Sequence, residues 1–233
     1  MELNERGGVQ FFTSKLITVP HGFATRVGGV SEPPFDTLNL GSSAIDGAVT
    51  ENYLRFAKAI GVPRESLVFT KQVHGDNIVW AENRGKDDCD GLITRQKGLT
   101  LTILWADCVP ILLQGDGCVA AVHAGWRGTA LGIVKKTVKM MSGNIRAAIG
   151  PAIGKCCFEV QSDVARHFPK SEKSDGEHWK VDLKAINRDQ LLSAGVTEID
   201  ISEECTHCNE KLFFSHRRTG NPRGTQAAVI MYE

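Results

Sequence analysis

One thiol and two imidazoles stand out in this 233-residue sequence because of where they fall. Cys108 lies in Leu101-Thr102-Ile103-Leu104-Trp105-Ala106-Asp107-Cys108-Val109-Pro110-Ile111-Leu112-Leu113. Two apolar runs there flank an acid, a thiol and a proline that would interrupt a continuous strand. A further run, Cys118 to Val122, follows the turn Gly115-Asp116-Gly117 and ends in His123-Ala124-Gly125-Trp126-Arg127-Gly128. If the runs on either side of that turn pair as a hairpin, Cys108 and His123 meet at one end of a sheet. His74, in Lys71-Gln72-Val73-His74-Gly75, follows the short run Leu67 to Thr70. One thiol and two imidazoles suit either a metal centre or a thiol nucleophile with its base. Taken singly, a cysteine beside buried strands is usually a packing residue. Here Asp107 before the thiol and Gly125 to Gly128 after the histidine place polar and backbone-exposing residues where a core would want neither.

The elements that must position these groups come in quick succession. Strand-like runs are Val9 to Val19, Leu67 to Thr70, Asn77 to Ala81, Gly91 to Thr94, Thr100 to Trp105, Val109 to Gln114 and Cys118 to His123, with Ile145 to Ile149, Glu198 to Ser202, Leu212 to Ser215 and Gln226 to Tyr232 later. The short connections favour antiparallel or mixed sheets over a doubly wound parallel sheet, which needs a crossover helix between successive strands. Apolar periodicity predicts helices over Glu51 to Ile60, capped by Thr50 and stopped by Gly61, and over Thr129 to Met141, with Leu131, Val134, Val138 and Met141 facing the core. Ser162 to Phe168 and Leu183 to Ala194 are the other helices, the latter with Asp182 as N-cap. The charged stretch Glu82 to Asp90 reads as a surface excursion.

Lys plus Arg and Asp plus Glu are 27 each, which gives no electrostatic case for a nucleic-acid or membrane partner. The 42% hydrophobic composition supports a sizeable core, and no linker or repeat divides the chain, so residues 1–233 read as a single domain. No run approaches the ~20 apolar residues of a membrane span, and Met1 to Gly8 is polar, so the expectation is a cytoplasmic protein. Seven cysteines without framework spacing point to reduced thiols. Cys205-Thr206-His207-Cys208 lacks a second C-x-x-C and reads as a loop feature. The adjacent Cys156 and Cys157 would face opposite ways on an extended segment and read as packing residues.

Six ordered motifs carry a resemblance: Gly22-Phe23-Ala24-Thr25-Arg26-Val27-Gly28-Gly29-Val30-Ser31, Leu38-Asn39-Leu40-Gly41, Gln72-Val73-His74-Gly75, Ala106-Asp107-Cys108-Val109-Pro110, Ala121-Val122-His123-Ala124-Gly125-Trp126-Arg127-Gly128, and Ile149-Gly150-Pro151-Ala152-Ile153-Gly154-Lys155-Cys156-Cys157-Phe158-Glu159-Val160. From about residue 20 onward the chain resembles the YfiH-like family, also called the multicopper polyphenol oxidase or laccase-domain family, some members of which are named peptidoglycan editing factor. The resemblance implies an α+β fold, a four-layer α/β/β/α sandwich of mixed sheets flanked by helices. It implies that His74, Cys108 and His123 are both metal ligands and catalytic residues, and the matched motifs supply Arg26, Gln72, Asp107 and Arg127 as substrate-binding candidates. Asn221-Pro222-Arg223-Gly224-Thr225 inverts the family's usual Gly-Arg order, which leaves Arg223 outside this expected site; Arg217 and Arg218 could contact phosphate, but paired arginines at the end of a strand are more often solvated.

Two imidazoles and a thiolate suit zinc with an open fourth position, and copper would also bind them. The implied activity is zinc-dependent phosphorolysis of a purine nucleoside (adenosine, inosine, guanosine or methylthioadenosine), with adenosine deamination beside it. Arg26 and Arg127 would hold phosphate, and Asp107 would serve deamination as acid-base group. The partners would be the nucleoside and phosphate, and the chain a monomer or weak homo-oligomer. Three other readings remain. One is a Cys108–His123 thiol hydrolase acting on a peptidoglycan precursor; another is a copper-dependent polyphenol oxidase, which seven histidines with no H-x-H pair serve poorly; the last is a non-enzymatic metal-binding protein.

Overall fold

The computed structural model describes residues 1–41, 46–83 and 88–233. Among these the strands are β1 (Glu2–Arg6), β2 (Val9–Thr13), β3 (His21–Ala24), β4 (Leu67–Phe69), β5 (Ile78–Trp80), β6 (Gly91–Thr94), β7 (Thr100–Trp105), β8 (Val109–Gly115), β9 (Cys118–Ala124), β10 (Arg146–Ile149), β11 (Glu159–Gln161), β12 (Glu172–Lys173), β13 (His178–Lys180), β14 (Glu198–Ile201) and β15 (Gln226–Met231). The helices are α1 (Val49–Ile60), α2 (Trp126–Ala130), α3 (Ile133–Met140), α4 (Ser162–Ala165), α5 (Leu183–Ser193) and α6 (His216–Thr219). One sheet runs β1-β2-β3-β15-β7-β4, a second β14-β10-β8-β9-β6-β5, and β11-β13-β12 form a small third. Both large sheets are mixed: β4 with β7, β5 with β6 and β10 with β14 are parallel, and the remaining neighbours are antiparallel.

The layering follows from side-chain alternation along the central strands. In β15, Ala227 and Val229 join Tyr53, Phe56 and Ile60 of α1, whereas Ala228 and Ile230 turn to the space between the sheets. There they meet Leu101, Ile103 and Trp105 of β7, Leu112 of β8, and Val119 and Ala121 of β9. The alternate residues Ile111, Leu113, Ala120 and Val122 pack against Ile133, Val134 and Val138 of α3 and Leu191 of α5. The order is therefore α1, sheet, sheet, α3 with α5: the expected four layers. Because β7 belongs to one sheet and β8 to the other, Ala106-Asp107-Cys108 crosses between them.

Several local expectations change. Thr129 to Met141 is not one helix: Gly132, at φ +75°, separates α2 from α3, and Leu131 is exposed rather than core-facing. Thr50 does not cap α1, which begins at Val49 after Ala48, although Gly61 ends it in the left-handed conformation. Asp182 does cap α5, accepting from the Ala185 N–H. Ser162 to Phe168 shortens to the four residues of α4, and Leu212 to Ser215 is irregular chain leading into α6. The polar β1 and the small third sheet carry no apolar alternation and are absent from the sequence reading. Of Glu82 to Asp90, residues 84–87 lie outside the described residues, and Asp90 is fully buried rather than part of a surface excursion.

Candidate functional site

β8 and β9 pair in the register that the apolar runs imply, with Pro110 opposite His123 and Val109 opposite Ala124. This brings Cys108, one residue before β8, against His123. His74 arrives on the loop between β4 and β5, and the ligand atoms of His74, Cys108 and His123 lie within 4.8 Å of one another. The two imidazole rings meet edge to face, 5.0 Å between centroids. Gly125 leaves the room: a Cβ there would lie 3.2 Å from the Cys108 Sγ and 3.3 Å from the His74 Cδ2.

Asp90 is the group that joins these pieces. One carboxylate oxygen accepts from His123 Nδ1 at 2.7 Å and the His74 N–H at 3.0 Å; the other accepts from the Gly75 N–H at 2.8 Å and the Val73 N–H at 3.1 Å. Burial opposes its ionisation, but the His123 hydrogen bond and the backbone donors outweigh burial and hold the carboxyl below the usual range. A carboxylate only accepts, so His123 carries its proton on Nδ1 and turns Nε2 to the site. Asp90 stands in a charged stretch at the N-terminal edge of β6; the one sequence signal for it is the acid immediately before the strand that pairs with β9.

Burial would raise the Cys108 thiol, but His123 and His74 overcome it and lower the thiol to about 6. Burial likewise disfavours the His123 imidazolium, and Cys108 and Asp90 reverse that, raising the ring to about 9. Cys108 and His123 thus draw each other toward a thiolate–imidazolium pair. The backbone is strained at the same place: among the described residues, His74 at φ 60° and Asp107 at φ 91° are the non-glycine residues with positive φ. Asp107 is held there by Thr206 Oγ1 at 2.6 Å, Ser215 Oγ at 3.1 Å and the Arg217 N–H at 2.7 Å, all donating to its carboxylate. Its carbonyl accepts from the Ile153 N–H at 2.9 Å.

His74 and Cys108 line a cavity of about 410 Å³ whose wall also includes Asp107, Trp126, Arg127, Phe158, Arg217 and Arg223, with His123 buried against them. That volume is in the ~300–1,000 Å³ range of small-molecule sites. Arg127 enters from the start of α2, as its motif implies. Arg217 is exposed, as expected, yet it also lines the cavity; its guanidinium donates to the Cys157 and Glu159 carbonyls and lies over the Phe158 ring. Arg223 also lines the cavity despite the inverted Gly-Arg order, its charge drawn to Asp107 and Cys108 while burial lowers its pKa. Its Nε is buried without a partner among the described residues.

The other sequence candidates lie elsewhere. Arg26 donates to the Asp36 carboxylate and the Glu210 carbonyl, stacks over Phe214, and borders a separate depression with Thr37 and Lys211. The Gln72 amide donates to the Leu104 carbonyl and accepts from the Leu104 N–H, both at 2.7 Å, which pins the His74 loop to β7.

A thiol and two imidazoles beside an arginine-bearing cavity, carried on two packed mixed sheets, make a candidate small-molecule site whose residue types could hold a metal ion. Residues 20–233 match the model of the multi-copper polyphenol oxidoreductase laccase family, and the chain belongs to that family, the same family that its motifs resemble. It is 39% identical to purine nucleoside phosphorylase YlmD of Geobacillus stearothermophilus, covering 90% of this chain and 88% of that protein. It is 35% identical to purine nucleoside phosphorylase YfiH of Shigella flexneri, over 88% and 94% of the two chains. Among solved structures, Bacillus licheniformis YfiH superposes with a TM-score of 0.91 at 32% identity over 99% of both chains, and G. stearothermophilus YlmD with 0.89 at 35% identity over 99% and 98%.

Proposed function

We propose that the protein is a metal-dependent purine nucleoside phosphorylase that cleaves adenosine, inosine, guanosine or methylthioadenosine with phosphate, and that deaminates adenosine as a side activity. The observation that carries this reading is the convergence of His74, Cys108 and His123 beside a cavity that His74 and Cys108 line together with Arg127, Arg217 and Arg223. The names of the relatives at 35–39% identity point the same way.

The three donors fit zinc: they are of mixed N and S type, Gly125 leaves space beside them, and the Asp90 carboxylate orients His123 as a ligand's partner does. Bound there, the metal supplies a Lewis acid and lowers the pKa of a coordinated water. In phosphorolysis a phosphate oxygen attacks C1′ of the ribose, the N-glycosidic bond breaks, and its electron pair leaves with the base. Arg127, Arg217 and Arg223 hold the phosphate and offset its charge. Trp126 and Phe158 give the purine apolar surface to lie against. Deamination exchanges the C6 amine for a water oxygen and releases ammonia. With both its oxygens engaged, Asp107 fixes the turn that presents Cys108 in this scheme and is a poor acid-base group. Arg26 and Gln72 act as supports rather than as substrate ligands.

A specific observation favours a second reading, the thiol hydrolase: a Cys108 thiolate beside a His123 imidazolium that Asp90 orients is an activated nucleophile with its base. Zinc content separates the two, because ligation occupies the thiolate that a hydrolase needs free. Protein purified without chelator should contain more zinc than Cys108→Ala, the difference being the zinc held with His74 and His123, and should release adenine from adenosine only when phosphate is added. Protein whose zinc content does not change in Cys108→Ala, that is rapidly alkylated at Cys108 and is inert to adenosine would support the hydrolase.

A further inference from the structure

A second group of sulfurs lies outside the cavity. Cys156, Cys157, Cys205 and Cys208 come from two segments about fifty residues apart, and their Sγ atoms all lie within 4.8 Å of one another. Cys208 Sγ is 3.3 Å from Cys157 Sγ and 3.7 Å from Cys156 Sγ. Four sulfurs on one tetrahedral zinc, with bonds of ~2.3 Å, stand roughly 3.8 Å apart. The expectation that adjacent thiols face opposite ways fails because Cys156 and Cys157 are not on a strand: the Cys157 and Phe158 N–H groups both donate to the Gly154 carbonyl, closing a turn. The C-x-x-C pair is likewise in a turn, with the Asn209 N–H donating to the Cys205 carbonyl at 2.9 Å.

The two turns are held face to face. Cys205 bridges Ala152, and the Thr206 N–H donates to the Ala152 carbonyl. The Gly154 N–H donates to Cys205 Sγ at 3.2 Å, the kind of bond that orients a ligating thiolate. A Cβ on Gly154 would come within 3.1 Å of Cys156 Sγ and 3.4 Å of Cys205 Sγ, so this close approach of backbone to sulfur uses a residue without a side chain.

We propose that these four cysteines form a second metal centre, a closed tetrathiolate site for zinc, distinct from His74, Cys108 and His123. Each thiol releases its proton on ligation, and four protein ligands leave no position for substrate, so the site is structural. It clamps the 154–158 turn to the 205–208 turn. Those turns support the cavity: Phe158 lines it, and Thr206 holds Asp107, the residue before Cys108. The proposal does not depend on what reaction the cavity performs.

The test uses the full chain carrying Cys108→Ala and His123→Ala, purified with a reductant and no chelator, so that the four thiols are the intact sulfur cluster. Elemental analysis should find about one zinc per chain, as one tetrathiolate site requires. Replacing the zinc with cobalt(II) should give intense sulfur-to-cobalt charge-transfer absorption, which disappears on adding Cys205→Ser and Cys208→Ser. Because the cobalt measurement is made before those further changes, it stands even if the quadruple variant does not fold. A folded triad-deficient chain that holds no zinc and shows no cobalt–thiolate band would overturn the proposal. So would recovery of the four cysteines as disulfides from that freshly reduced, metal-free chain. Loss of zinc on changing Cys108 and His123, with the tetrathiolate signal retained, bears on the first site alone.

Discussion

At the scale of single residues, Cys108 separates chemistry from packing. Removing one sulfur costs about 1–2 kcal/mol through lost contacts, too little to unfold a protein of ordinary stability. Cys108→Ala should therefore remain folded while nucleoside cleavage falls by orders of magnitude. His74→Ala should do the same, and the double variant should be scarcely worse, because groups acting as one unit are not additive. Asp90 gives a finer test. Asp90→Asn sets an amide against donors that now face a carboxylate, and zinc affinity in chelator competition should fall by about 10–100-fold. Unchanged affinity would mean that Asp90 does not orient His123. Cys108, His74 and His123 are legible in the sequence because each ends an apolar run beside glycine or proline. Asp90 is not legible, because its stretch is charged and a carboxylate turned inward leaves the same letters as one in solvent.

At the scale of elements, the strands that carry the site declare themselves. β7, β8 and β9 are continuous apolar runs because both of their faces are buried, and their ends match the sequence reading to within a residue. Elements fixed by contacts rather than by their own pattern escape it. β1 is polar and edge-paired, and the four-thiol cluster depends on two turns whose meeting no local spacing announces. β3 offers a test of pH dependence. His21 is buried with Nε2 accepting from the Ser14 N–H and Nδ1 donating to the Val19 carbonyl, an arrangement only the neutral ring can make. Burial outweighs these contacts and lowers its pKa below 6.5. The unfolded chain then binds the proton more readily, so stability is complete above pH 6.5 and declines as pH falls through that value toward the folded pKa. Urea midpoints should drop more between about pH 7.5 and about pH 5.5 in the parent protein than in His21→Asn. Equal drops would remove His21 from the account.

At the scale of the whole molecule, the site is a seam. Cys108 lies on the crossing between the sheets, His123 ends β9, and His74 comes from the loop between strands of different sheets. Such a site is assembled only when both sheets are packed, so a metal bound there stabilises the folded state alone. At about one hundred times its dissociation constant a ligand contributes about 2.7 kcal/mol. For a chain of this length that corresponds to about 5–10 °C in Tm. Chelator treatment should lower Tm by that order in the parent protein and by less in the Cys108→Ala variant. An identical shift in both would place the stabilising metal elsewhere. The four layers themselves rest on family resemblance at the sequence level, since short strands and scattered helices are equally compatible with other mixed folds; α1 and α3 cover opposite outer faces only because the alternating residues of β15 and β8 are partitioned between the two sides.

The most direct measurement is single-turnover cleavage of adenosine by protein of known zinc content, with and without inorganic phosphate, for the parent chain and folded Cys108→Ala. The parent should release adenine and form ribose 1-phosphate only with phosphate present, and Cys108→Ala should lose the zinc held with His74 and His123 and this activity together, keeping only zinc held by the four clustered cysteines. Phosphate-dependent cleavage by Cys108→Ala at the parent rate would contradict the account at its centre.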